Sequence, residues 1–204
     1  MFSATDGQDG SREQLEDLWR AELDEHRAVV EATAHSGLSA FCDALAILES
    51  SVRAGGKILL FGNGGSASDA QHIVAELVVR YKTDRAPIAA LTLSADTSTL
   101  TACANDLGYE TIFARQIEAL GRKGDVAFAI STSGRSPNVL NALGKARAMR
   151  LQTIGLSGGI GGEMRPLCDA LIVVPSSTTA RIQEMHITVA HMLCKALEQR
   201  LGLV

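Results

Sequence analysis

The sequence has 204 residues, of which 46% are hydrophobic and 21% charged, with a formal net charge of -4. That is a globular composition with enough chain to bury one full core; the mild acidity argues against a dedicated nucleic-acid surface, and no apolar run approaches the roughly 20 residues of a membrane span. The opening residues are polar and acidic and lack the basic and apolar regions of a signal peptide, so a cytoplasmic protein is expected, with neither membrane nor nucleic acid as partner.

Residues 1–11 carry Gly, Ser, Asp and Gln without periodicity and are expected to be disordered; residues 12–204 are expected to form a single domain. Two helices are predicted first, over 12–34 and 38–54, separated near Ser36 and Gly37. Leu15, Leu18, Trp19, Leu23, His26 and Val30 form an apolar stripe on the first, and Phe41, Leu45, Leu48 and Val52 on the second. Placed before any strand, these helices call for a partner surface, which in an α/β domain is often another protomer. His26 and His35 are expected to be solvated or structural. Cys42, Cys103, Cys168 and Cys194 show no pairing or zinc-ribbon spacing and sit among apolar neighbours, so buried free thiols are expected.

Residues 57–77 read as strand, glycine turn and helix. The apolar run 58–61 lacks helical spacing and suits a strand buried on both faces. Gly62, Gly64 and Gly65 permit a sharp turn with uncovered N–H groups, and Ser66 or Ser68 is expected to cap a helix with Asp69 in its first turn. Further on, the patterns predict a strand over 88–93 and a short helix starting in the Ser/Thr-rich stretch 94–101. Asn105 and Asp106 close that helix before Gly108. A helix over 110–120, a strand over 125–130, a helix over 137–149, strands over 152–156 and 171–174, and a terminal helix over 179–201 follow. Strands alternating with helices imply a parallel sheet covered on both faces. Ligands of such sheets gather at the carboxyl ends of the strands, here the glycine loop, the segment reaching Asp106 and the loop 131–136.

Ser131, Thr132, Ser133 and Ser136, with Gly134 among them, sit where a helix begins; hydroxyls, N–H groups and a helix N-terminus make an anion site suited to phosphate. A serine-rich connection that only caps the helix is the plainer reading, and Arg135 adds either a charge contact or a solvated side chain. Gly62, Gly64 and Ala67 also satisfy a dinucleotide fingerprint, but Asp96 lies beyond the usual ~20-residue offset of its ribose-binding acid. His72 and Glu76, four apart, share a helix face and fit either a solvated pair or two metal ligands. Gln183 and His191 on the terminal helix are candidates to complete such a centre, although eight residues separate them by ~12 Å of rise. His186 reads as a packing group or a support behind the site, and Glu184 as solvent-facing or paired to Arg181.

The four segments GNGGSASDAQHIVAE, CANDLGYE, STSGRSPN and TARIQEMHITVAH together resemble, in order and spacing, the sugar isomerase (SIS) domain proteins, and most closely the phosphoheptose isomerases. The similarity runs from about residue 12 to the C-terminus. It implies a flavodoxin-like α/β/α sandwich with a five-stranded parallel sheet, assembled as a homotetramer partly through the N-terminal helices, with active sites between protomers. It implies conversion of sedoheptulose 7-phosphate into D-glycero-D-manno-heptose 7-phosphate, the first step towards nucleotide-activated heptose. The implied zinc (Zn2+) ligands are His72, Glu76, Gln183 and His191. The implied substrate contacts are Asn63, Gly64, Gly65, Asn105, Asp106, Ser131, Thr132 and Ser133, with Ser136 at the phosphate and Glu76 and Gln183 at the sugar. Isomerisation through a cis-enediol needs an acid/base pair, for which Glu76 and His191 are the candidates. Many members carry Asp or Pro where this chain has Ala180, a departure that bears on substrate preference. A non-catalytic class of the same fold, which binds the bacterial replication initiator DnaA, is the alternative; its members typically lack the glutamate and histidine found here as Glu76 and His191.

Overall fold

The computed structural model describes residues 6–204, with side chains from residue 11 onward. Helix α1 (Asp6–Ser36) begins before residue 12, so the expected disorder does not extend through residues 6–11; residues 1–5 lie outside the described residues. Helix α2 (Leu38–Arg53) follows after Gly37, strand β1 (Ile58–Gly62) enters the sheet, and helix α3 (Gly65–Val78) leaves it. Strand β2 (Ala90–Thr92) is shorter than the predicted 88–93 because, at the sheet edge, it pairs only with β1. Helix α4 (Thr97–Leu107), a 3-10 turn at Tyr109–Thr111 and helix α5 (Ile112–Leu120) lead to strand β3 (Val126–Ser131). Helix α6 (Pro137–Ala148), strand β4 (Gln152–Gly158), strand β5 (Ala170–Val174) and helix α7 (Thr179–Leu201) complete the chain. A second 3-10 segment, Gly162–Leu167, had no signal in the sequence pattern.

The five strands are all parallel in the order β2-β1-β3-β4-β5. This is the flavodoxin-like order, in which the chain reverses its direction of winding between β1 and β3 and opens a crevice at their carboxyl ends. Alternate residues of the strands feed two cores. Ile58, Leu60, Phe128, Ile130 and Leu156 pack with α2, α3 and α7, while Leu59, Phe61, Ala127 and Ala129 pack with α5 and α6. Burying a side chain such as Phe61 or Ile58 contributes roughly 1.5–3 kcal/mol, which is why β1 can be apolar on both faces.

The start of α3 departs from expectation. Gly64, at φ 55°, is the N-cap; Ser66 is buried inside the first turn, and no serine side chain caps the helix. Asp69 falls beyond the first turn, with one carboxylate oxygen buried and without a partner among the described residues, and burial raises its pKa. All four cysteines are free, but only Cys103 and Cys194 are buried; Cys168 is half-buried and Cys42 exposed, because α2 turns the Cys42 side away from its core face. Burial pushes the Cys168 and Cys194 thiols up to about 12, so neither is a ready nucleophile. Along α1, Leu15, Leu18, Trp19 and Leu23 remain exposed, Trp19 by 69%. Among the described residues, no helix is long and apolar enough to cross a membrane.

Candidate active site

The β1–β3 crevice places the glycine loop beside the serine loop. Gly62, the last residue of β1, pairs with Ile130 of β3; a Cβ there would approach the Ile130 carbonyl oxygen to 2.7 Å, so only glycine lets the two loops leave the sheet this close. In the second loop, the Ser131 and Ser136 hydroxyls lie 3.2 Å apart, and the Arg135 backbone N–H donates to Ser133 Oγ. Ser136 is the N-cap of α6, yet its hydroxyl makes no capping bond, and Pro137 follows at the start of the helix. The capping explanation for these serines therefore fails at Ser136, and the hydroxyls stand at a helix N-terminus where an anion is favoured. Thr132 is half-buried, and Ser133 and Arg135 are exposed.

Asn105 and Asp106 lie in the last turn of α4, exposed, with the Asn105 amide donating to Asp106 Oδ1 at 2.7 Å. The chain then turns at Gly108 (φ 93°) and brings Tyr109 to the glycine loop, where its hydroxyl donates to Asn63 Oδ1 at 3.0 Å. The Asn63 amide is in turn paired with that of Asn138, which is 2% exposed. Tyr109 and Asn138 were not singled out from the sequence; Asn138 stood in the serine motif itself, but its partner is 75 residues away. Asp96 caps α4, accepting from the Thr99 backbone N–H at 3.0 Å and from its hydroxyl at 2.9 Å. These bonds hold its carboxyl below the usual range and occupy the group a dinucleotide site would need for a ribose.

The terminal helix meets α3 from a distance of more than a hundred residues in sequence. His72 Nε2 lies 2.9 Å from His191 Nε2 and 3.4 Å from Glu76 Oε1, and the ligand atoms of His72, Glu76 and His191 all fall within 4.8 Å of one another. Two imidazole nitrogens and a carboxylate are a zinc-type donor set. Ligands about 2.0–2.1 Å from a tetrahedral ion stand ~3.3 Å apart; both separations from His72 lie within a few tenths of an ångström (~0.4 Å) of that spacing, and Glu76 and His191 lie within 4.8 Å of each other. Gln183 sits two turns earlier on α7, with its amide against Gly65 so tightly that a Cβ there would collide with it. It thus borders the glycine loop, at the end of α7 nearer the crevice.

Other groups set these side chains. The Tyr81 ring packs on His191, with centroids 5.3 Å apart. Arg85 donates to the carbonyls of Glu76 and Leu77 and pairs with Glu198 at 2.8 Å. His186 is buried, its Nε2 3.1 Å from the Ser157 carbonyl oxygen, and burial pushes its pKa down to about 4. Glu184 bridges Arg181 and His26, both at 2.7 Å, which gives His26 a structural role between α1 and α7. Neither Tyr81 nor Arg85 carried a signal in the sequence, because His191 and Glu198, the side chains they meet, lie over a hundred residues onward.

The model of the SIS domain family matches residues 22–158. A phosphoheptose isomerase of Paramagnetospirillum magneticum is 64% identical over 148 residues, covering 72% of this chain and 77% of the relative. A phosphoheptose isomerase of Helicobacter pylori is 49% identical over 185 residues, 91% of this chain and 96% of the relative. Among solved structures, the phosphoheptose isomerase of Neisseria gonorrhoeae superposes with a TM-score of 0.86 at 37% identity, over 91% of this chain and 99% of that one. The replication-initiator alternative finds no support in these relatives.

Proposed function

The chain belongs to the phosphoheptose isomerases of the SIS domain family and is an isomerase, and from that premise we propose that it converts sedoheptulose 7-phosphate into D-glycero-D-manno-heptose 7-phosphate in a zinc-dependent site at the β1–β3 crevice. The observation that carries the reading is the meeting of His72 and Glu76 of α3 with His191 of α7, their ligand atoms within 4.8 Å of one another. The reaction moves a proton between adjacent carbons of a phosphorylated sugar, and each region of the crevice has a part in it.

The phosphate is assigned to Ser131, Thr132, Ser133 and Ser136 at the N-terminus of α6, where hydroxyls and N–H groups can surround its oxygens. The sugar is assigned to Asn63, Gly64 and Gly65, to Asn105 and Asp106, and to Gln183. His72, Glu76 and His191, with Gln183 reaching from α7, would hold zinc. When bound, zinc supplies Lewis-acid polarisation of the carbonyl and hydroxyl oxygens. Glu76 and His191 act as the acid/base pair that takes the proton from one carbon and returns it to the next through a cis-enediol. Coordination lowers a carboxylate's basicity, so Glu76 works either through its second oxygen or after loosening. The exposed stripe of α1 supports assembly of a homotetramer with sites between protomers, and the biosynthetic role of such a reaction is cytoplasmic.

The test follows sedoheptulose 7-phosphate turnover by NMR, with chelator and with zinc restored. Turnover is expected to disappear with the chelator and return with zinc, and Glu76→Gln and His191→Ala are each expected to lower kcat by about 10²- to 10⁴-fold while keeping fold and assembly. Folded, assembled variants with normal turnover would remove the acid/base assignment.

A further inference from the structure

Asn63 has its side-chain acceptor capacity filled by the protein. Its Oδ1 accepts from Asn138 Nδ2 at 2.9 Å and from the Tyr109 hydroxyl at 3.0 Å, while its Nδ2 donates to Asn138 Oδ1 at 2.9 Å. An amide oxygen has two lone pairs and an amide nitrogen two protons, so one N–H is all that the Asn63 side chain retains for a ligand. The second member of this closed amide pair, Asn138, is 2% exposed and sits in the first turn of α6, directly after the serine loop. One turn later, the Asn141 amide donates to the Glu110 carbonyl oxygen at 3.0 Å and fastens to α6 the 3-10 turn that carries Tyr109. Asn138 and Tyr109 therefore join the glycine loop, the segment that follows Asn105 and Asp106, and the serine loop.

We infer that Asn138 and Tyr109 are positioning residues for the isomerase reaction, setting the separation between the glycine loop that receives the sugar and the serine loop that receives its phosphate. This rests on the reading above. A sugar phosphate spans both loops and feels their spacing, whereas inorganic phosphate occupies the serine loop alone and does not. The choice of Asn at both positions follows from the pairing: two amides can exchange two hydrogen bonds, and a carboxylate at either position removes one donor.

The test compares Tyr109→Phe, Asn138→Asp and the double variant with the wild type. It measures kcat and KM for sedoheptulose 7-phosphate, the inhibition constant of inorganic phosphate, and zinc affinity. Tyr109→Phe removes one hydroxyl from a side chain that is 57% exposed and leaves the fold undisturbed even where a change at buried Asn138 does not. Each single variant is expected to raise KM about 3- to 10-fold, the range of one or two lost hydrogen bonds, with zinc affinity and phosphate inhibition within about twofold of wild type. The double variant should fall short of the product of the two, because both act through Asn63. Unchanged KM in Tyr109→Phe, or a parallel loss of phosphate inhibition, would overturn the positioning role. Absence of turnover in the wild type would instead count against the isomerase reading.

Discussion

At His186, the same burial that makes the residue structural also makes it titrate abnormally. The residue is 1% exposed, its Nε2 faces the Ser157 carbonyl oxygen, and its Nδ1 has no partner among the described residues, so the neutral imidazole donates through Nε2 and the charged form is penalised. The folded pKa of about 4 lies below the ~6.5 of an unfolded histidine. Between those values the unfolded chain takes up a proton that the folded chain refuses. The stability is therefore full above about pH 6.5 and is lost as pH falls towards 4, by about 3 kcal/mol in all. Urea unfolding of the wild type near neutrality and near ~pH 5 should show this loss, and His186→Gln should flatten it. An equal slope in the variant would assign the acid sensitivity to other groups. Of the candidate site residues, the serine hydroxyls and the His72/Glu76 pair could be read from local spacing; the Asn63–Asn138 pair could not, since nothing near Asn63 names its partner.

Among the elements, the pairing of α3 with α7 decides whether there is a site. Gly65 meets Gln183 at one end, and His72 meets His191 about two turns further along both helices, so the helices run side by side in the same direction. Their mutual position is held at the C-terminal end of α3 by Arg85, whose side chain is 1% exposed and whose partner Glu198, on α7, is 3% exposed. Arg85 also takes the Leu77 and Glu76 carbonyls, which the end of a helix leaves without intrahelical partners. Removing one member of a buried ion pair strands the other charge. Glu198→Ala is accordingly expected to lower stability by about 3–5 kcal/mol in denaturant unfolding, and to weaken zinc binding as Glu76 loses its support. A variant with unchanged unfolding midpoint would show that Arg85 finds another acceptor. The capping serines expected for α3 proved unnecessary because Gly64 supplies the turn by adopting a positive φ, a backbone choice that a propensity argument at Ser66 or Ser68 does not capture.

At the scale of the whole molecule, the exposed stripe Leu15, Leu18, Trp19 and Leu23 on α1 is larger than scattered surface apolar residues require and supports an interface between copies of the chain. Trp19→Glu is expected to reduce the proposed tetramer to smaller species in light scattering, with helix content retained and isomerase turnover reduced in parallel. A variant that stays tetrameric would place the interface elsewhere. The sequence by itself determined the alternation of strands and helices, the three loops at the carboxyl ends of the strands and the family, because periodicity, glycine turns and motif order are local properties of the chain. The tertiary structure alone decided that β1 and β3 flank the crevice and that His191 comes to His72 and Glu76. These depend on packing between distant residues, 119 apart for His72 and His191, and no spacing rule along a single helix or strand reaches that far.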